Sequence, residues 1–371
     1  MRFKAKLAME HVQLLHNMVG PISRLTSGGG GSLADSGVSG GPLLGGSSSH
    51  YPSAFGSGGT VMHLDPEHVR ISTRGGSGSN GGTSGSDGDG IACFAELATC
   101  NGIFLEHRIE SASDNIIVFE IDLAQLRLAL QSVLFSNGSF GSKGGRRSVA
   151  QSALHNSGDA RDSSALAALP ALVTYVVVMK LAKRGGFPCL CLDASCSGGS
   201  IDVHHAIPVR IMRAAEMQYH LPPRIDLPDV QLELPAERPL RPVVERLRTI
   251  SPQIFLEGSM AGELTLRIDG DGASIRIFYS KLIPRFEDCK TSAEENNNGD
   301  NEPARCTIKV DSKKLHACLQ WQATMARSVS SAVLCMVENE MLVLHIMLNP
   351  GDVGFFTYYV PVHFLSPDQI D

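Results

Sequence analysis

The chain has 371 residues, of which 43% are hydrophobic, and a formal net charge of -6 at pH 7. Its length accommodates two domains of ordinary size, and its apolar content suffices for a large core. A protein that reads nucleic-acid sequence usually carries a basic domain, so this mildly acidic balance argues against that class. A locally basic surface is still compatible with it, because the field near a surface depends on where the charges lie.

The sequence carries no signal for export or for insertion into a membrane. Its first twelve residues lack a long apolar core followed by a small-residue cleavage site. The longest apolar run, 172–179, is too short to span a bilayer. Nine cysteines, an odd number spread over strand-like segments, favour reduced thiols over a disulfide framework. We therefore expect a soluble, intracellular protein.

Four segments differ in composition from the rest of the chain. Three are dominated by Gly, Ser and Ala, and the last is rich in Asn and Glu; they span 26–59, 75–89, 136–170 and 287–303. Such compositions cannot bury enough apolar surface to offset the entropy lost on ordering. We interpret them as disordered insertions in the loops of a structure built from the remaining residues.

The first half of the chain predicts strands interrupted by two helices. Apolar residues between Val12 and Leu25 recur at helical spacing, directly after a strand-like start. Asp122 stands where a strand ends and a second helical pattern begins, and Gln125 completes a pattern close to a capping box. The predicted strands are 2–7, 60–65, 68–73, 91–98, 104–111, 116–122, 173–182, 188–195 and 201–211.

The pattern restarts after a stretch at 214–229 that three prolines interrupt and that we interpret as an extended linker. Leu240, Val244, Leu247 and Ile250 belong to one helical stripe, and a second helix is predicted after Asp311. The predicted strands of this half are 230–235, 254–260, 263–269, 273–282, 306–310, 332–340, 341–348 and 354–362.

The strand-to-helix corner at Asp122 recurs at Asp311, with leucines and a glutamine at the same offsets from each aspartate. An internal repeat is weighed before other signals, because it determines the architecture. We therefore predict an α+β protein made of two similar domains, 1–212 and 230–371, joined by a linker at 213–229. In each domain, helices should cover one face of curved antiparallel sheets, because each helix has a single apolar stripe.

The solvent faces of the predicted helices carry more basic than acidic residues. Lys and Arg can hold phosphates without reading bases, so such a face can contact nucleic acid. The plainer alternative, which spacing alone favours, is that these are solvated charges on ordinary amphipathic helices. The candidates for contact with DNA are Arg24, Arg127, Arg241, Arg248, Lys313 and Lys314.

A cluster of Cys189, Cys191 and Cys196 followed by His204 and His205 suggests zinc. Structural zinc sites favour cysteine pairs separated by two to four residues, whereas alternate cysteines of a strand share one face and more often fill a core. We therefore expect no metal, no cofactor and no catalytic site. A metal-dependent enzyme built on these residues is the less favoured hypothesis.

Several segments of the chain resemble a single family in their order and spacing. They are 1–7, 11–18, 234–251, 261–268, 306–320 and 358–362. Together they are similar to the Hus-one family of checkpoint clamp subunits, a branch of the PCNA-type sliding clamps. The resemblance covers essentially all of the chain outside the four insertions.

The resemblance implies a duplicated DNA-clamp fold that forms one part of a ring, with helices lining the hole and sheets continuing between subunits. It implies that 201–211 and 274–281 are edge strands that pair with neighbouring subunits, and that the linker binds client proteins. Pro239 and Pro242 depart from a regular helix, so the helix there should begin late and present fewer arginines. The implied residues are Ile201, Val203, Ile207, Ile275, Ile277 and Tyr279 at the interfaces, and Met217, Tyr219 and Leu221 in the linker.

The resemblance also implies a function. The chain would be a non-catalytic subunit of a nuclear, heterotrimeric checkpoint clamp, with a cytoplasmic pool, that encircles DNA at damage sites. The implied partners are Rad-nine-like and Rad-one-like subunits, double-stranded DNA without sequence specificity, and repair and signalling proteins. The sequence has no G-x-x-x-x-G-K-[ST] loop, so an ATP-using clamp loader would be a separate protein. The rival is a homotrimeric, PCNA-like processivity clamp.

Overall fold

The computed structural model describes residues 1–26, 59–74, 90–136, 175–196, 203–213, 216, 220–270, 273–286, 289, 303–349 and 353–365. The four predicted insertions lie almost entirely outside these residues. Within the described ranges, no helix is long and apolar enough to cross a membrane.

The two halves of the described chain have the same order of elements, namely strand, helix, five strands, helical segment and three strands. The elements of the first half are β1 (Arg2–Leu7), α1 (Met9–Thr26), β2 (Thr60–Leu64), β3 (His68–Arg74), β4 (Ala92–Ala98), β5 (Glu106–Glu110), β6 (Ile117–Ile121), α2 (Leu123–Ser136), β7 (Tyr175–Arg184), β8 (Phe187–Cys196) and β9 (Val203–Ile211). A π-helical turn, Thr99–Ile103, follows β4.

The second half repeats this order with shorter helices. Its elements are β10 (Val230–Glu233), α3 (Arg241–Leu247), β11 (Gln253–Ser259), β12 (Glu263–Asp269), β13 (Ser274–Tyr279), β14 (Ile283–Pro284), β15 (Arg305–Asp311), α4 (Ser312–Cys318), α5 (Trp321–Thr324), β16 (Val329–Val337), β17 (Met341–Leu348) and β18 (Gly354–Pro361). A 3-10 turn, Ala326–Ser328, separates α5 from β16.

The repeated corner has the same hydrogen bonds in both halves. Asp122 Oδ1 accepts from the backbone N–H groups of Ala124 and Gln125 at 2.8 and 3.3 Å. Asp311 Oδ1 accepts from those of Lys313 and Lys314 at 2.8 and 3.0 Å. Each aspartate therefore satisfies donors that the first helical turn leaves unpaired, which is why the strand turns into a helix at this residue.

The core lies between the sheets and the helices. In β1, Phe3, Ala5 and Leu7 are buried while Arg2 and Lys4 are exposed, so alternation places one face of the strand inward. The apolar stripes of the helices pack on the same faces, and one hydrophobic cluster runs through both halves. This arrangement confirms the predicted α+β class with helices on one face of antiparallel sheets.

The strands of the described chain form two sheets. One has fourteen strands in the order β14-β10-β16-β17-β18-β4-β3-β2-β6-β9-β8-β7-β1-β5, and the other has four in the order β13-β12-β11-β15. The two halves join where β18 pairs antiparallel with β4, from Gly354 opposite Leu97 to Tyr359 opposite Ala92. This pairing is called the internal junction below.

The first helix of the second half begins where the sequence predicted but ends earlier. The helix begins at Arg241, after Pro239 and with Pro242 in its first turn, so it starts as late as the prolines predicted. Ile250, which we assigned to the apolar stripe, lies beyond the helix and is 61% exposed. The stripe therefore ends at Leu247. The two-residue strand β14 was not predicted, because so short a segment has no periodicity to detect.

Candidate nucleic-acid interface

The helices of the two halves form one continuous layer. Helix α1 packs against α2, α3 packs against α4, and α1 also contacts α4 and α5 across the boundary between the halves. Arg24 at the end of α1 donates from Nη1 to Gln320 Oε1 at 2.8 Å, over a separation of 296 residues in the chain. We call this set of helices the helix layer.

The helix layer is basic although the chain is acidic. Its segments 9–26, 123–136, 241–248 and 312–328 contain eight Lys and Arg residues and two Asp and Glu residues, against 32 and 38 in the whole chain. The layer therefore carries a formal charge of +6, and the remainder of the chain carries -12. Such segregation produces a positive field on one face of an acidic protein.

Three of the predicted arginines surround His316, which is 9% exposed on α4. Burial lowers the pKa of His316, and Arg248, Arg241 and Arg24 lower it further, against an opposing effect of Glu245. His316 is therefore neutral at pH 7 and adds no charge of its own. Arg24 of α1, Arg241 of α3 and Arg248 just after α3 therefore converge on one part of the helix layer.

Arg241 is held in place at the start of α3. Its backbone N–H donates to Gln322 Oε1 at 2.8 Å, and its guanidinium lies 3.7 Å from the carboxylate of Glu245 one turn later. Arg248, which follows α3, is exposed. The pair with Glu245 reduces the charge that Arg241 offers to a ligand, while Arg248 is accessible to one.

Lys313 and Lys314 occupy the first turn of α4, and Lys313 is exposed. A cation at a helix N-terminus opposes the helix dipole at a cost of a few tenths of a kcal/mol or more. Helix stability therefore does not account for these lysines.

Arg127 is half-buried on α2 and lies near His16 of α1. Burial lowers the pKa of His16, a hydrogen bond with Asn17 opposes that effect, and Arg127 lowers the pKa further. Arg246 and Arg327, both exposed in the same layer, were not among the sequence candidates. Counting every exposed cation on the predicted helices and their flanks would have included them.

The predicted interface strands differ in how much of their length is free. Strand β13 is the last strand of the four-stranded sheet, and among the described residues it pairs only with β12. Strand β9 lies inside the large sheet, but its residues 203–208 pair only with β8, and only 209–211 reach β6. Over 203–208, therefore, β9 has one side without a strand partner among the described residues.

The side chains predicted at these interfaces point mainly inward. Ile207 and Tyr279 are 3% and 7% exposed, Val203 and Ile277 are half-buried, and Ile275 is 37% exposed. Ile201 lies outside the described residues. The strands can therefore offer backbone N–H and C=O groups to a partner while these side chains remain against the core.

Comparison with known proteins identifies the family. The Hus1-like protein family matches residues 58–363. This chain belongs to that family. The checkpoint protein hus1 homolog of Dictyostelium discoideum is 27% identical over 304 residues, which cover 81% of this chain and 89% of that protein. The checkpoint protein hus1 of Schizosaccharomyces pombe is 23% identical over 274 residues, which cover 70% and 79%.

The fold of this Hus1-like chain is that of a sliding clamp. The structure of PCNA from Thermococcus kodakaraensis matches it with a TM-score of 0.52 over 97% of this chain and 100% of that one, at 11% identity. The predicted duplicated clamp fold is therefore confirmed. Family and fold together make the chain a checkpoint protein of the clamp type, as the sequence predicted.

The linker of this Hus1-like chain is tied to the outer face of the first half, opposite the helix layer. The exposed Leu221 accepts through its carbonyl from Arg74 Nη2 at 3.3 Å, and Glu216 Oε2 lies 3.6 Å from Arg210 Nη1 on β9. Arg210 also donates to Glu120 Oε2 at 2.7 Å. Beneath its start, Met212 forms a small apolar cluster with two strand residues of that face. Met217 and Tyr219 lie outside the described residues.

The residues that suggested zinc have other surroundings. Cys189 and Cys191 are buried in β8, and burial raises the pKa of the Cys189 thiol, which disfavours the thiolate that a metal requires. His204 lies 3.1 Å from Asp193 Oδ1. Within the part of the chain that the structure describes, no three His, Cys, Asp or Glu side chains are grouped as metal ligands.

Proposed function

We propose that this chain is one subunit of a heterotrimeric ring that encircles double-stranded DNA without reading its sequence. Its two domains, 1–212 and 230–371, would form one third of the ring, with a Rad-nine-like and a Rad-one-like subunit supplying the rest. Loaded at damaged DNA in the nucleus by a separate ATP-using loader, the ring recruits checkpoint signalling and repair proteins. The subunit itself is proposed to be non-catalytic.

The internal junction carries this proposal. Within one chain, it shows how the sheet of one half continues into the sheet of the next through antiparallel pairing of β18 with β4. By the repeat, β18 corresponds to β9 and β4 corresponds to β13. By this correspondence, the described chain joins one pair of equivalent edges, β18 with β4, and leaves the other pair, β9 and β13, unjoined. A row of unpaired backbone groups needs a partner, and two such edges per chain suit a closed ring.

The repeat also gives the register expected between subunits. Pro208 and Pro361 occupy equivalent positions, because each lies opposite the corresponding residue of the preceding strand. Transferred to the free edges, the register of the internal junction sets His204 opposite Arg276 and His205 opposite Ile275 of a neighbouring copy. In the internal junction the same positions hold Thr357 opposite Phe94 and Tyr358 opposite Cys93.

This register favours different partners over a second copy of the chain. The internal junction buries Thr357 at 2% exposure opposite Phe94, whereas a self-junction would set the exposed His204 opposite the exposed Arg276 at the same position. Neither side chain offers the other an apolar surface or an opposite charge, so this pair would stabilise a strand junction little. The chain is therefore expected to close a ring with two other subunits whose edges complement β9 and β13.

Light scattering tests the assembly. The purified chain alone should be monomeric at micromolar concentration and should form a 1:1:1 complex when the Rad-nine-like and Rad-one-like subunits are added. A stable homotrimer of the chain alone would instead establish the PCNA-like processivity clamp. Failure to associate with either partner would refute the ring.

The helix layer is proposed to line the hole and to hold the DNA by weak phosphate attraction. Changing Arg241, Arg248 and Lys313 together to Glu should weaken retention of circular DNA by the assembled ring about tenfold or more at low salt, because phosphate contacts dominate non-specific binding. A control variant with the same charge change, at the exposed Lys183, Arg184 and Arg305 outside the layer, should retain DNA normally. Equal loss in both variants would contradict this assignment of the layer.

A further inference from the structure

Four residues form a straight row across the outer face of the four-stranded sheet. Lys309 of β15 lies opposite Phe255 of β11, which lies opposite Arg267 of β12, which lies opposite Arg276 of β13. Residues that face each other across a sheet lie on the same side of it, so the row presents three cations around one aromatic ring. We call it the outer row.

The middle of the outer row is rigid. Arg267 is 8% exposed and pairs with Glu257 at 2.5 Å and with Asp269, while its guanidinium lies 4.3 Å from the ring centre of Phe255. The Lys309 ammonium lies 5.2 Å from the same ring. Arg267 and Lys309 are each attracted by the face of the Phe255 ring, although they repel one another. The ring therefore fixes their positions without neutralising their charge.

The two ends of the row are free to bind an anion. Among the described residues, Lys309 and Arg276 make no ion pair, and Arg276 is exposed. Arg267 and Arg276 lie side by side on adjacent strands, and Lys309 lies beyond Phe255, so the row with its two acids keeps a net positive charge that an anionic partner would neutralise. The acids beside the row, Glu257 and Asp269, are already engaged by Arg267.

The first half shows what covers the equivalent row. By the shared registers, Glu120, Val61, Ser72 and Phe94 occupy the positions of Lys309, Phe255, Arg267 and Arg276. There the chain leaving β9 passes over the face: Arg210 binds Glu120, which is 5% exposed, and Met212 packs on Val61, which is 2% exposed.

In the second half the same position has the opposite charge and no such cover. Lys309 replaces Glu120, and His363, which pairs with Lys309 through the backbone, replaces Arg210. Beyond it Phe364 is 78% exposed, and the N–H of Leu365 donates to Asn339 Oδ1, at the turn between β16 and β17. The described chain therefore leaves the row uncovered.

We propose that the outer row binds an extended acidic segment of another protein, in the position that Arg210 and Met212 take over the first half. The distance from Lys309 to Arg276 is three strand spacings, about 14 Å, which an extended chain covers in about four residues. The segment is therefore expected to carry two carboxylates about four residues apart, one for each free cation. This site lies on the opposite side of the sheet from the helix layer. It is tested on the chain alone, because Arg276 lies on β13, the strand proposed to pair with a neighbouring subunit.

The test is fluorescence anisotropy with the full-length chain and a labelled peptide of about ten residues, bearing two Glu residues about four positions apart. The expected result is saturable, salt-sensitive binding that the peptide with Gln in place of both Glu residues lacks. Lys309→Glu should weaken binding about tenfold or more, Lys309→Met should weaken it less, and Arg276→Glu should resemble Lys309→Glu. Circular dichroism of each variant checks that it is folded.

Arg305→Glu is the matched control, because Arg305 is exposed on the same strand as Lys309 but outside the row. An equal loss in this variant would mean that only net charge matters, which overturns the proposal. No binding to the wild-type chain also overturns it. Binding that emerges only after residues 366–371 are deleted would assign the row to the chain's own acidic end and not to a partner.

Discussion

The two halves of the molecule share their strands and differ in their helices. Strand order and both corner aspartates are the same, although β6 pairs with β9 over three residues where the second half has the single bridge of Lys309 with His363. The helices differ more: α1 has 18 residues where α3 has 7, and α2 is continuous where α4 and α5 are interrupted. The helix segments of the second half, 241–248 and 312–328, hold six of the eight basic residues of the layer. The sheet thus conserves the architecture of the repeat, while the helices can change length and charge without altering the strand pairing.

The β18–β4 junction also differs in its side chains from the free edges of β9 and β13. At the internal junction, Gly354 has φ of +149°, and a Cβ there would lie 2.1 Å from Glu96 O. Phe94 and Tyr359 stack edge to face beside it at 5.6 Å. At the free edges Ala206 and Arg276 take the places of Tyr359 and Phe94, so this aromatic pair has no counterpart there. The side chains of the internal junction therefore fit β18 to β4 of the same chain.

The largest expected effect is at this junction. Gly354→Val places a side chain against the backbone of β4, so we expect the free energy of unfolding to fall by about 3 kcal/mol or more. Urea denaturation measures it. The control is Gly186→Val, at φ of +88° with nothing within 4 Å of the added Cβ, where backbone strain alone should cost about 1–3 kcal/mol. A smaller loss at Gly354 than at Gly186 would contradict the close packing of the halves.

The corner aspartates test whether the halves are energetically equivalent. Asp122→Ala and Asp311→Ala each remove an N-cap, which typically costs about 1 kcal/mol. The loss at Asp311 should be the larger, because Lys313 and Lys314 then lie at a helix N-terminus without a compensating acid. Thermal unfolding of both variants decides this, and a larger loss at Asp122 would refute the explanation.

The features that the sequence predicted depend on local chemistry. Asp122 and Asp311 cap helices through backbone groups two and three residues away, and Pro242 delays α3 within its own first turn. Alternating burial along β1 follows from the same short-range rule. Such signals are contained in a few consecutive residues, so the elements and the repeat could be found without coordinates.

The features that it did not predict depend on distant pairing. The hydrogen bond from Arg24 to Gln320 and the packing of Arg267 on Phe255 both join residues on different elements. Nothing near Arg24 distinguishes it from a solvated arginine. The six candidate cations could therefore be named from helical spacing, but the convergence of three of them on His316 required the fold.

A smaller effect measures how the halves are coupled across the helix layer. In a double-mutant cycle of Arg24→Ala and Gln320→Ala, we expect a coupling of about 0.5–1.5 kcal/mol, the usual contribution of one hydrogen bond. Pairing Arg24→Ala with Gln13→Ala, which removes a side chain bonded within α1, should give additive losses. Additive losses for Arg24 and Gln320 as well would show that the bond does not couple the halves.

The smallest expected effect is on the pH dependence of stability, at equivalent positions of β8 and β17. His345 lies where the first half has Asp193, and each contacts the next strand, through Thr357 and His204 respectively. Burial lowers the pKa of His345 from its usual 6.5, so unfolding takes up a proton and stability falls as the pH drops below 6.5.

Asp193 should respond at a lower pH. Burial raises the pKa of Asp193, but hydrogen bonds from Lys180 and His204 outweigh it and hold the pKa below 3.8. The stability it confers is therefore present above 3.8 and is lost only as the pH falls through that lowered value. His345→Gln should flatten the fall in unfolding free energy as the pH drops below 6.5, whereas Asp193→Asn should leave that fall unchanged. Other histidines with lowered pKa remain in both variants, so the difference between the two stability curves reports on His345 and Asp193 alone. Parallel curves would contradict the lowered pKa of His345.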